Sequence, residues 1–259
     1  MLFLLSPAKT LDYESPLPRS APSPTEPLFK KHSAELIGVL RKHSEADIAE
    51  LMSISESLAK LNHQRFKDWS PTFTAKNSRA ALLAFNGDVY EGLDAQTLSA
   101  KELAWAQDHI AILSGLYGVL RPLDKMQPYR LEMGTKLANS VGPNLYKFWG
   151  SSLSVYLNER LAQEKHPTII NLASQEYFKS VDLKALKARV IECVFEQEKS
   201  GQFKVISFLA KRARGLMARY AIEHQIKTPS ALQKFNVEGY QFEPTLSATD
   251  KFVFRKYNP

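Results

Sequence analysis

The sequence predicts a mixed α/β fold, one large domain in which a partly parallel sheet is flanked by helices. Three observations carry that prediction. Short apolar runs at 2–5, 81–85, 110–113 and 168–170 read as buried strands. The segments between them carry helical periodicity, so the chain has to cross over and re-enter the sheet in the same direction. Residues 189–208 alternate in strand fashion around Lys199, Ser200 and Gly201, which adds an antiparallel hairpin of 190–196 and 202–208. No repeat of fixed period and no dividing linker is visible, so 1–259 reads as a single unit.

The elements follow in order. The strand at 2–5 stops at Ser6 and Pro7. From Ser15 to Pro27 come five prolines with serines, an extended surface loop. Helical spacing starts near Ser33, with Leu36, Ile37 and Leu40 on one face. Ser44 and Asp47 frame a capping box for a second helix carrying Ile48, Leu51 and Met52. A third starts at Ser55 or Ser57, and Asn62 reads as the cap of a fourth running to Phe66 and Trp69. Short helices joined by tight turns over 47–69 fit a helix-hairpin-helix, a module that grips the DNA backbone, although the Gly-x-Gly hairpin is missing; an ordinary helical layer fits as well. Ser99 and Glu102 cap a helix over 99–108, and 151–163 is an amphipathic helix. Strands at 239–242 and 252–257 close the chain.

Composition narrows the function classes. With 44% hydrophobic and 24% charged residues the chain has a globular balance, and no stretch approaches the roughly 18 apolar residues of a membrane span. The opening Met1 to Leu5 lacks a basic flank and runs into Ser-Pro, so a cytoplasmic location is expected. Cys193 is the single cysteine, set in apolar alternation, and reads as a buried structural thiol. The histidines are scattered without metal-ligand spacing, so neither a metal nor a cofactor is expected. A formal net charge of +7 favours polyanionic partners.

Two constellations carry the functional reading. Each predicted strand ends in a polar or glycine-bearing turn, and in open α/β sheets ligands sit at the carboxyl edge where such turns gather. A cleft lined by Ser6, Lys9, Thr10, Asn86, Ser114, Tyr117, Arg121, Tyr129, Arg130, Asn171, Ser174 and Lys179 is therefore expected. Its densest part is Ser114 to Asp124, continued by Pro128 to Met133, where glycines, tyrosines and arginines crowd between apolar residues. The second constellation is the helix of 209–220. Leu209, Ala213, Leu216, Met217 and Tyr220 fall on one side and Lys211, Arg212, Arg214 and Arg219 opposite. Gly215 lies among the cations, a position that suggests close approach by another backbone or a phosphate.

These words together resemble the bacterial YaaA family of peroxide-stress resistance proteins. The resemblance rests on 6–13, 84–90, 113–124, 127–134, 171–174, 176–180 and 213–217, and spans essentially the whole chain. It implies a cytosolic protein induced by hydrogen peroxide that limits damage by holding down free iron. It also implies binding of double-stranded or branched DNA through a positive cleft and a helix-hairpin-helix. Lys9, Arg121, Arg130, Lys211, Arg212, Arg214 and Arg219 are the expected DNA contacts, and any effect on iron is expected to be indirect or to come from shielding DNA. The alternative is an enzyme acting on a phosphate-bearing or nucleic-acid substrate in the same cleft, with Ser6, Thr10, Ser114, Ser174, Lys9 and Tyr117 as the groups chemistry would use.

Overall fold

The computed structural model describes residues 1–18 and 21–257. The predicted 15–27 loop therefore includes Arg19 and Ser20, which lie outside the described residues. Its far end is tethered, since Thr25 donates its hydroxyl to Asp124 Oδ1 at 2.6 Å.

Strand β1 (Leu2–Leu5) is buried along its whole length and is followed by β2 (Thr10–Leu11). Three helices come next: α1 (Lys30–Leu40), α2 (Glu45–Met52) and α3 (Glu56–Asp68). The capping box predicted at Ser44 and Asp47 is present, and helix α1 begins three residues before Ser33. Asn62 caps nothing. It is buried inside α3, where its amide donates to the Leu58 carbonyl at 2.8 Å one turn back, so the predicted third and fourth helices are one, capped by Ser55. Helices α2 and α3 form an αα-hairpin whose turn is closed by Ser53 in the left-handed region (φ 49°).

The run at 81–85 is not one strand. Two short ladders, β3 (Arg79–Ala80) and β4 (Phe85–Asn86), flank a single turn of helix, α4 (Ala81–Ala84). The reason lies in the backbone accounting: Ala81 and Leu82 donate to the carbonyls of Asp124 and Pro122 at 2.9 Å each, and alanine and leucine are strong helix formers. Helices α5 (Asp88–Leu93) and α6 (Ala100–His109) lead into β5 (Ile110–Ser114), β6 (Gly118–Leu120) and β7 (Lys125–Met126). Then come α7 (Leu145–Trp149), α8 (Ser152–Arg160), β8 (Thr168–Asn171) and α9 (Gln175–Phe178).

The hairpin of β9 (Arg189–Lys199) and β10 (Gln202–Lys204) is shorter on its return arm than expected, because α10 (Ser207–Glu223) already starts at Ser207. The chain ends with α11 (Pro229–Leu232), β11 (Tyr240–Phe242) and β12 (Lys251–Lys256).

The main sheet has the order β11-β12-β9-β8-β1-β5-β6, with β10 paired to the far end of β9. Strands β12, β9, β8, β1 and β5 are all parallel, and the flanking β11 and β6 are antiparallel. Parallel strands need covered faces. Helix α6 packs on β1 and β5, and α10 on β9. Burying each side chain of β1 contributes on the order of 1.5–3 kcal/mol, which fixes the strand from whose end the functional site grows. Among the described residues, no helix is long and apolar enough to cross a membrane.

Candidate functional site

At the carboxyl edge of β1 and β8 the structure opens a cleft of about 470 Å³. Its floor is set by the chain leaving these two strands. Ser6, directly after β1, accepts the Ser174 backbone N–H on its hydroxyl at 2.8 Å, and its own carbonyl takes the Tyr90 hydroxyl at 3.0 Å. One wall is the β2–β4 ladder, which puts Thr10 opposite Asn86. The other wall is the segment 129–132.

That segment is held by two contacts. Tyr129 and Ser114 share a buried hydroxyl–hydroxyl bond of 2.6 Å. At Gly115 an added Cβ would lie 2.2 Å from the Leu131 carbonyl oxygen, so only glycine lets the two backbones meet. Burial pushes the Tyr129, Tyr90 and Tyr177 hydroxyls well above the ordinary phenol range. All three remain neutral at physiological pH and act as hydrogen-bonding groups.

Helix α10 closes the cleft with Lys211 and Arg214. It reaches this position by direct backbone contact with α5. A Cβ on Gly215 would stand 1.8 Å from the Val89 carbonyl oxygen, and one on Gly92 would stand 2.3 Å from the Arg212 carbonyl oxygen. Gly215 is thus buried against a neighbouring helix and does not line the cleft.

The cations divide into paired and unpaired. Lys9 Nζ lies 2.8 Å from Glu132, and Arg130 Nη2 lies 3.1 Å from the other oxygen of the same carboxylate. Among the described residues Arg214 has no carboxylate within ion-pair distance and no hydrogen bond, and its Nε is sealed from solvent without a partner. Burial lowers its affinity for the proton, and the charge of Glu192 only partly offsets this. Lys211 is exposed and, among the described residues, also has no ion pair. Three carboxylates, Asp88, Glu132 and Glu176, share the cleft; that of Glu176 accepts the Gly134 N–H at 2.8 Å.

Of the residues expected to form the site, Ser6, Lys9, Thr10, Asn86, Tyr129, Arg130, Ser174, Lys211 and Arg214 meet here. The rest do not. Ser114 and Tyr117 are fully buried, because the Ser114 hydroxyl is taken up by the Tyr117 N–H at 2.9 Å and by Tyr129. Asn171 turns its amide oxygen to the Ala173 N–H at 3.0 Å. Strand β6 runs back against β5, so Arg121 is carried towards the amino end of that strand, where it grips the buried Asp124. Arg212 pairs with Glu238 at 2.6 Å, and Arg219 with Glu223 at 2.8 Å and with the carbonyls of Leu93 and Asp94. Lys179 stacks over the Tyr146 ring in a separate surface groove. Two of the four cations on the basic face of α10 are therefore taken up, Arg212 by Glu238 from outside the helix and Arg219 by Glu223 one turn on within it. The acids of the cleft were signalled only by position: Asp88 in the Asn-Gly-Asp turn, Glu132 two residues after Arg130, Glu176 two after Ser174.

Comparison with known proteins agrees with the motifs. Residues 1–246 match the family described as peroxide stress protein YaaA. The chain belongs to the YaaA family. A UPF0246 protein of Bordetella petrii is 63% identical over 256 residues, covering 99% of both chains. UPF0246 proteins of Paracidovorax citrulli and Albidiferax ferrireducens are 62% and 60% identical, over 99% and 100% of this chain and 98% and 99% of their own. This YaaA-family chain is thus similar to those relatives from end to end, with the cleft-forming segments inside the matched region.

Proposed function

We propose that this YaaA-family protein binds the phosphodiester backbone of double-stranded or branched DNA in the cleft, as part of the peroxide stress response. The observation that carries the reading is Arg214: a half-buried guanidinium with no ion pair and no hydrogen bond among the described residues, opening into a concave site beside a second unpaired cation, Lys211. Leaving a buried charge uncompensated is costly, and a phosphate oxygen would relieve it with a charge-assisted hydrogen bond. Lys9 and Arg130 add charge from the opposite wall, moderated by Glu132. Backbone contacts of this kind position DNA without reading its sequence. Any effect on free iron enters this reading indirectly, through the shielding of DNA.

The test is duplex and four-way-junction binding by fluorescence anisotropy with paired variants. Arg214→Ala weakens every duplex about equally, whereas Arg212→Ala, whose cation is already held by Glu238, has little effect. Equal losses in the two variants would sink the assignment.

One feature favours a second reading, an enzyme acting on a phosphate-bearing or nucleic-acid substrate. Asp88, Glu132 and Glu176 line the same cleft as the Ser6, Thr10 and Tyr129 hydroxyls, a mixture of proton donors and acceptors that pure backbone binding does not require. Under this reading, a Glu132→Gln protein still binds DNA but loses turnover or stress protection.

A further inference from the structure

Away from that cleft, a second groove of about 600 Å³ lies between α3 and the segments around 13–17 and 75–79. It is lined by two guanidinium groups, Arg65 and Arg79, with Trp69 and Tyr13 among its walls. Arg79 is only 7% exposed. Its Nη1 donates to the Ser15 carbonyl at 2.7 Å, while its Nε and Nη2 have no hydrogen-bond partner. Arg65 reaches only the Asn62 amide oxygen, at 3.4 Å. Neither forms an ion pair with any carboxylate among the described residues.

The carboxylates nearby, Glu14 and Asp68 in the lining and Asp12 beside it, do not come within ion-pair distance of either guanidinium. Asp68 lines the groove but accepts from Gln64 at 2.7 Å, Glu14 is exposed, and Asp12 is engaged by the backbone N–H groups of Glu14 and Ser15. Lys76 adds a third positive charge to the lining. The nearly buried Arg79 and the part-exposed Arg65 thus bring two guanidinium groups without an ion pair to one groove, and a buried charge is tolerated when it is paired and hydrogen-bonded. Guanidinium forks suit the tetrahedral oxygens of phosphate, and two of them match its double charge. The volume exceeds what a bare phosphate fills and falls in the range of small-molecule sites.

We propose that this groove binds a small phosphomonoester through Arg65 and Arg79, independently of the DNA cleft. The test is calorimetric titration of the full-length protein with inorganic phosphate and with AMP as the bulkier probe. Saturable binding is expected, tighter for AMP, weakened at least tenfold by Arg65→Ala and by Arg79→Met, and retained in Arg214→Ala. Should Arg79→Met fail to fold, the part-exposed Arg65→Ala decides alone. Absence of saturable binding, binding that survives Arg65→Ala, or an equal loss in Arg214→Ala would overturn the proposal. DNA affinity measured on the same proteins keeps this outcome separate from that of the first cleft.

Discussion

Gly215→Ala separates the helix seen in the sequence from the helix seen in the structure. On the basic face of a solvated helix, alanine in place of glycine stabilises by about 1 kcal/mol through propensity alone. In the folded protein the added methyl would sit 1.8 Å from the Val89 carbonyl oxygen and 2.9 Å from the Leu93 nitrogen. Both are backbone atoms, so no rotamer change relieves the clash and α5 must move away from α10. Overpacking costs about 1–3 kcal/mol even where side chains can yield; with rigid backbone the upper end applies, about 3 kcal/mol. Subtracting the propensity gain leaves a net loss of about 2 kcal/mol. At about 2–4 °C per kcal/mol for a chain of this size, the thermal midpoint falls by roughly 4–8 °C. The proposed DNA binding falls with it, because Lys211 and Arg214 ride on the displaced helix. Scanning calorimetry on both proteins reads the shift, and a midpoint unchanged or raised in Gly215→Ala would refute the packing.

Three further residues give outcomes set by burial, by capping and by a buried hydrogen bond. The Cys193 thiol is buried and its pKa pushed up to about 12 by desolvation. It therefore stays unmodified by thiol reagents in the native protein and reacts only on unfolding. Because that pKa is raised above its unfolded value, the thiol's contribution is fully present below about pH 8.5 and is lost as pH climbs towards 12, at up to about 1.4 kcal/mol per unit; urea titrations of Cys193→Ala show a shallower alkaline decline. Ser99→Ala removes a capping box in which Ser99 and Glu102 bond each other's backbone N–H, and costs about 1 kcal/mol, read as a lower urea midpoint. Tyr129→Phe deletes the 2.6 Å bond to Ser114, costs about 1 kcal/mol, and loosens the 129–132 wall, seen as faster amide exchange there; unchanged exchange would contradict the proposed support.

Much of this architecture is written locally. Leu2 to Leu5, Ile110 to Leu113 and Thr168 to Ile170 are too short and too apolar to be anything but buried strands between helical segments, and the Ser44 and Ser99 caps announce their helices by chemistry that acts over one turn. The gathering of Ser6, Lys9 and Ser174 follows from the parallel strands β1 and β8 ending at a common edge, whereas Asn86 is brought there by the antiparallel β2–β4 ladder. What stayed hidden depends on partners distant in sequence. The 81–85 run forms a turn of helix because carbonyls of Pro122 and Asp124 reach it. Arg212 looks free in a helical projection and is tied by Glu238, and Arg219, which has Glu223 one turn on, is held as well by the end of α5. Gly215 occupies a position a wheel assigns to the charged face, but a helix crossing in from 120 residues earlier buries it. In each case the local signal is correct about the residue's chemistry and silent about what folds against it.

Free positive charge in the cleft carries the proposed DNA binding, and the salt dependence of DNA affinity measures that charge directly. Log-affinity against log-salt falls by about 0.9 per neutralised phosphate. Contacts from Lys211 and Arg214 alone predict a slope near −1.8, and the addition of Lys9 and Arg130 takes it to about −3.6. Anisotropy titrations of a 30-base-pair duplex between 50 and 200 mM salt should fall within these bounds, with Arg214→Ala losing about one contact's worth. A flat response, or a slope untouched by removing Arg214, would contradict the claim that the cleft binds DNA through its unpaired cations.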